Sequence, residues 1–112
     1  MSNRDEDLLL QDILEAGTKI LRYTKDYSYT DFLNDEKTLD AVIRNFGIMG
    51  EASKRISKQT ILEHPEIDWR KMLNFRNLLI HEYFGVNNEI VWDIIQNYLS
   101  HNLHFISTIL KK

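Results

Sequence analysis

The sequence predicts an all-α fold, an antiparallel bundle of four main helices with room for one extra short helix. Two observations lead there. The chain has a single proline, Pro65, and four glycines, so few positions interrupt a helix. Its apolar residues recur at three- and four-residue steps along most of the 112 positions, the spacing that lines one face of an α-helix. With 43% hydrophobic residues the chain can bury one core, so residues 1–112 are read as a single domain.

The first stripe comprises Leu10, Ile13, Leu14, Gly17, Ile20, Leu21 and Thr24, which places a helix over about residues 4–27. The pattern then weakens, and residues 31–36 read as a connection with at most a short turn. Leu39, Val42, Ile43, Phe46, Met49, Gly50, Ser53 and Ile56 trace a second helix over roughly 36–57. Gly47 and Gly50 inside it each cost about 1 kcal/mol against alanine, which suggests a neighbouring helix packed close to the backbone.

Residues 58–67 contain His64-Pro65 and form a connection with about one helical turn, because the residue before proline avoids the α region. Asp68 can cap the third main helix, its carboxylate meeting free amides of the first turn. That helix carries Trp69, Met72, Leu73, Arg76, Leu79, Ile80 and Tyr83 at helical steps and closes near Phe84-Gly85. Asn87 or Asn88 can cap the last helix, whose stripe is Val91, Ile94, Ile95, Tyr98, Leu99, Asn102, Phe105, Ile106 and Leu110. Lys111 and Lys112 complement the negative end of its dipole.

Composition narrows the function classes. Cysteine is absent, so disulfides and thiolate metal sites are excluded, which fits a reducing cytoplasm. No apolar run approaches the roughly 20 residues that span a bilayer, and acidic residues flank the early apolar cluster, so neither secretion nor membrane insertion is expected. The net charge of −3 argues against broad adhesion to nucleic acid, and any RNA contact must be local. Lys54, Arg55 and Lys58 form one small basic cluster, and Arg70, Lys71 and Arg76 another; such clusters are more often solvated helix faces. No Gly-rich phosphate loop or internal repeat is present, which disfavours Rossmann and P-loop nucleotide binding.

The informative segment is Arg76-Asn77-Leu78-Leu79-Ile80-His81-Glu82-Tyr83, an R-N-x-x-x-H-x-Y string near the end of the third main helix. Imidazole titrates near neutral pH and can move protons, while a guanidinium stays charged and binds phosphate oxygens in bidentate fashion. Together they can cleave RNA without metal. At about 100° per residue, Asn77 and His81 stand one turn apart on one face, so the amide can orient the imidazole. Arg76 and His81 are about 140° apart on a straight helix and converge poorly within one chain. A homodimer, with two copies of this helix meeting at a two-fold axis, would bring them together.

Each residue also has a plainer reading. Arg76 can serve a structural ion pair, His81 can be an ordinary helix-end histidine favourable to the dipole, and Tyr83 can be a core aromatic with its hydroxyl at solvent. His64, His101 and His104 have weaker claims. A zinc site from His101 and His104 would need further ligands that the sequence does not identify.

The string matches the R-x(4)-H motif, with tyrosine two residues after the histidine, of HEPN-superfamily proteins of the HepT-like toxin family. Residues 41–57, AVIRNFGIMGEASKRIS, resemble that family's second-helix pattern, and residues 67–72, IDWRKM, its approach to the motif. Residues 81–86, HEYFGV, and 89–93, EIVWD, continue the likeness over nearly the whole chain.

The resemblance implies a HEPN-like helical domain acting as a metal-independent endoribonuclease toxin. Arg76, His81 and Asn77 would lie in a composite dimer cleft, with RNA as substrate and no cofactor. It further implies a cognate minimal nucleotidyltransferase antitoxin that adenylylates Tyr83, placing bulk and negative charge beside the cleft. Two other readings stand beside it: a noncatalytic HEPN module that holds a nucleotidyltransferase or a nucleotide, and a helical dimer whose polar motif residues serve assembly alone.

Overall fold

A computed structural model describes the backbone of residues 4–80 and 87–111 and the side chains of 4–75 and 87–111. The described chain is helical throughout: α1 (Arg4–Tyr23), α2 (Tyr29–Asn34), α3 (Glu36–Lys54), α4 (Lys58–Glu63), α5 (Trp69–Ile80), α6 (Asn88–Asn97) and α7 (Leu99–Leu110). The four expected main helices correspond to α1, α3, α5 and the pair α6–α7, and two short helices occupy the connections. α3 packs against both α1 and α5, while α7 packs against α1.

One hydrophobic cluster gathers Leu10, Ile13 and Ile20 of α1, Val42, Phe46 and Met49 of α3, Met72 and Phe75 of α5, and Ile106 of α7. The expected stripe of α1 is correct in its buried centre, and Leu14 and Leu21 lie half-buried at its margin. Gly17 permits a close approach: a Cβ built there would stand 2.5 Å from a methyl of Leu103 on α7. Gly47 and Gly50 are buried on α3.

Several boundaries differ from expectation, each for a local reason. α1 ends at Tyr23 rather than near residue 27 because Asp26 takes the left-handed conformation, with φ 63°. The Thr24 hydroxyl, 2.8 Å from the Ile20 carbonyl, satisfies part of the helix end. The connection over 31–36 gives way to α2, nucleated by a reciprocal capping box: the Ser28 hydroxyl accepts from the Asp31 amide, and the Asp31 carboxylate accepts from the Ser28 amide. α3 stops at Lys54 because Ser57 caps a new helix, accepting from the Thr60 amide.

The last helix is interrupted. Tyr98 leaves helical geometry at φ −126°, ψ −34°, although its N–H still reaches the Ile94 carbonyl at 3.1 Å. Neither proline nor glycine stands there. Beyond it α7 is tied to the segment before α5: the buried Asn102 side chain accepts from the Asp68 amide at 3.1 Å, and His101 Nε2 lies 3.0 Å from the Glu66 carbonyl. Tyr98, expected in the core stripe, is therefore 42% exposed, while Leu103 takes an inward place.

Candidate active site

The motif helix α5 is anchored at its start. The Asp68 carboxylate accepts from the Lys71 amide at 2.9 Å, the expected cap. The Trp69 indole N–H donates to the His64 carbonyl at 2.9 Å, which fixes the turn around Pro65. The buried line of α5 is Trp69, Met72 and Phe75, in three-residue steps. Phe75 meets Phe46 of α3 edge-on, with ring centroids 4.5 Å apart. Leu73, expected in this line, is instead 38% exposed, and Phe75, absent from the expected stripe, is buried directly before Arg76. The signal for Phe75 was its place three residues after Met72, masked by the more conspicuous Leu73.

Arg76 and Asn77 are carried on the α5 backbone near its C-terminal end; their side chains lie outside the described ones. His81 and Tyr83, like the closing Phe84-Gly85, lie outside the described residues. The description resumes at Asn87, whose side chain caps α6 by accepting from the amides of Glu89 and Ile90, as the sequence predicts. The motif string therefore begins on one capped, packed helix and is followed by another.

The outward line of α5 consists of Arg70, Leu73 and Asn74. Lys71 beside it places its ammonium 4.1 Å from the centroid of the Tyr98 ring. A cleft of about 620 Å³ opens between α1 and α3, lined by Leu9, Asp12, Asp40, Arg44 and Ile48 among others.

The remaining histidines are engaged structurally. His64 Nδ1 pairs with the Glu66 carboxylate at 3.1 Å, and His101 and His104 both meet the Phe105 ring edge-on. Among the described residues no group of three or more side chains could hold a metal ion. No described helix is long and apolar enough to cross a membrane.

Comparison with known proteins adds the family context. The chain is 40% identical over 111 residues to a protein of Methanocaldococcus jannaschii named "Putative RNase MJ0127", covering 99% of this chain and 92% of that one. It is 46% identical over 87 residues to "Probable ribonuclease HepT" of Thermococcus cleftensis, covering 78% of this chain and 79% of that one. A second Methanocaldococcus jannaschii protein, "Putative RNase MJ1380", is 40% identical over 96 residues, covering 86% of this chain and 88% of the other. No solved structure matches. The family model described as Ribonuclease HepT-like matches residues 13–109, a span that takes in every helix from the middle of α1 to the end of α7, and the chain belongs to that family.

Proposed function

We propose that this protein is a metal-independent endoribonuclease toxin that cuts RNA at a cleft shared between two copies of the chain. The observation that carries the reading is the intact Arg76–Tyr83 string, which begins on α5, in a chain that belongs to a ribonuclease family over residues 13–109. The names of the relatives support the ribonuclease part of this reading.

In this mechanism His81 removes the proton from a ribose 2′-hydroxyl. The freed oxygen attacks the adjacent phosphorus while the bond to the 5′ oxygen breaks. Arg76 neutralises the charge that builds on the non-bridging oxygens, and Asn77, one turn from His81 in sequence register, orients the imidazole. The roughly 140° between positions 76 and 81 on a straight helix is the reason for a homodimer. Across a two-fold axis a second His81 can protonate the leaving oxygen. DNA lacks the attacking hydroxyl and should resist.

The off-switch in this reading is adenylylation of Tyr83 by a minimal nucleotidyltransferase antitoxin. A phosphodiester on the phenol adds negative charge beside a site that binds phosphate, so substrate is repelled as well as blocked. The setting is cytoplasmic, where both RNA and the partner are available.

The test is cleavage of RNA and DNA oligonucleotides under chelator by wild type, Arg76→Ala and His81→Ala. Loss of about 100-fold or more in both variants, with DNA untouched, is expected. Equal RNA decay in all three preparations would remove catalysis and leave a helical module that binds its partner.

A further inference from the structure

In a chain of net charge −3, α5 contains three cations and no carboxylate. Two of them, Arg70 and Lys71, sit in its first turn, where the helix dipole disfavours positive charge. Helix stability therefore does not account for them. The exposed Arg70 forms no ion pair among the described residues, and the outward line it begins continues through Leu73 and Asn74. Position 77 lies on the same line. Seven residues separate it from Arg70, which is about 10 Å along the axis and within about 20° around it.

The second observation comes from the break between α6 and α7. That break turns Tyr98 outward, to 42% exposure, and sets its ring under the Lys71 ammonium at 4.1 Å. Lys71 and a half-exposed aromatic ring thus meet one residue after the exposed Arg70, at the start of the helix on which the motif begins. Cations for phosphates beside an aromatic face for a base are the elements by which single-stranded nucleic acid is held without sequence preference.

We infer that Arg70, Lys71 and Tyr98 form a distal subsite for single-stranded RNA, Arg70 and Lys71 holding phosphates and Tyr98 stacking a base. This rests on the ribonuclease reading and extends it to substrate length. A strand reaching from position 77 to Arg70 covers about 10 Å, or about three stacked nucleotides. The subsite therefore favours longer RNA over a dinucleotide.

The experiment compares cleavage of a dinucleotide and of a single-stranded 12-mer by wild type, Arg70→Ala, Lys71→Ala, Tyr98→Ala and Tyr98→Phe across a salt series. On the 12-mer, Arg70→Ala and Lys71→Ala should each raise KM by about 3–10-fold with kcat within about twofold, and flatten the salt slope by about 0.7–1. Tyr98→Ala should raise KM, and Tyr98→Phe, which keeps the ring, should match wild type. The dinucleotide should not distinguish the variants.

Wild-type KM and salt slope in all the alanine variants on the 12-mer, with cleavage intact, would overturn the subsite and leave the ribonuclease reading standing. If wild type cleaves neither substrate, the ribonuclease reading falls, and anisotropy of a fluorescent 2′-O-methyl 12-mer decides the surface. Binding that Arg70→Ala weakens upholds it; absence of binding by wild type overturns it.

Discussion

The two corners that turn the chain into α3 and out of it are held by different kinds of contact. Between α1 and α3 the hydrogen bonds are local, while the buried Phe32 of α2 also stacks on Trp92 of α6. Ser28 and Asp31 cap each other across α2, and the Tyr27 hydroxyl donates to Asp35 at 2.6 Å. Asp35 also caps α3, accepting from the Thr38 amide and hydroxyl at 3.1 and 2.7 Å. The hydrogen bond from Tyr27, reinforced by those from Thr38, holds the Asp35 carboxyl below its ordinary value of 3.8. Between α3 and α5 the local caps at Ser57 and Asp68 are joined by ties from distant segments. Glu6, at the start of α1, accepts from the Ser57 amide at 2.8 Å and from the Thr60 hydroxyl at 2.5 Å. Asn102 of α7 accepts from the Asp68 amide. The hydrogen bonds of the first corner can form from its own sequence, whereas the second adds to its local caps ties that form only once α1 and α7 have docked.

That contrast can be broken experimentally. The largest loss is expected for Asn102→Ala, which empties a buried polar position and strips the Asp68 amide of its acceptor. Urea unfolding should show destabilisation of about 2 kcal/mol. A change within error would mean that the tie from α7 contributes little and that the second corner is as self-sufficient as the first.

Next comes Glu6. Glu6→Ala removes acceptors from both Ser57 and Thr60 and should cost about 1–2 kcal/mol, with a double-mutant cycle against Thr60→Val showing coupling between α1 and α4. Burial pushes the Glu6 carboxyl up, but hydrogen bonds from Thr60 and Ser57 outweigh it and leave the group below its ordinary 4.5. A carboxyl depressed in the folded state stabilises above its unfolded pKa, and that contribution disappears as pH falls through the folded value. Wild type should therefore lose stability below about pH 4.5 more steeply than Glu6→Gln. Parallel acid limbs would place the charge of Glu6 outside the corner's stability. The smallest effect, about 0.5–1 kcal/mol, is expected for Ser28→Ala, which removes one half of a solvent-facing local cap.

The same division explains what the sequence made legible. The stripes of α1 and α3 and the caps at Asp68 and Asn87 depend on neighbours within a turn or two, and they appear where periodicity and residue type place them. α2 carried a readable signal, Ser28 followed three residues later by Asp31, but its few apolar residues hid it. Glu6 reaching Ser57 and Asn102 reaching Asp68 leave no local trace, so neither the origin of the second corner nor the break at Tyr98 could be read. In α5 the inward line passes through Phe75 rather than Leu73 because Phe46 of α3 selects it, a choice made across the core. The candidate chemistry was legible for the opposite reason. Arg76, Asn77, His81 and Tyr83 declare themselves by residue type and spacing, while the partnership of Lys71 with Tyr98 needed α5 and the α6–α7 break in one frame.

The placement of the two tryptophans has a practical consequence. Trp69 opens α5, only 5% exposed and with its indole N–H committed to a carbonyl, whereas Trp92 on α6 stacks against Phe32 with centroids 5.1 Å apart. The chain therefore has one tryptophan on each flank of its motif, in unlike surroundings. Replacing Trp92 with phenylalanine keeps an aromatic partner for Phe32 and leaves a single tryptophan, adjacent to Arg70, an optical reporter that needs no dye.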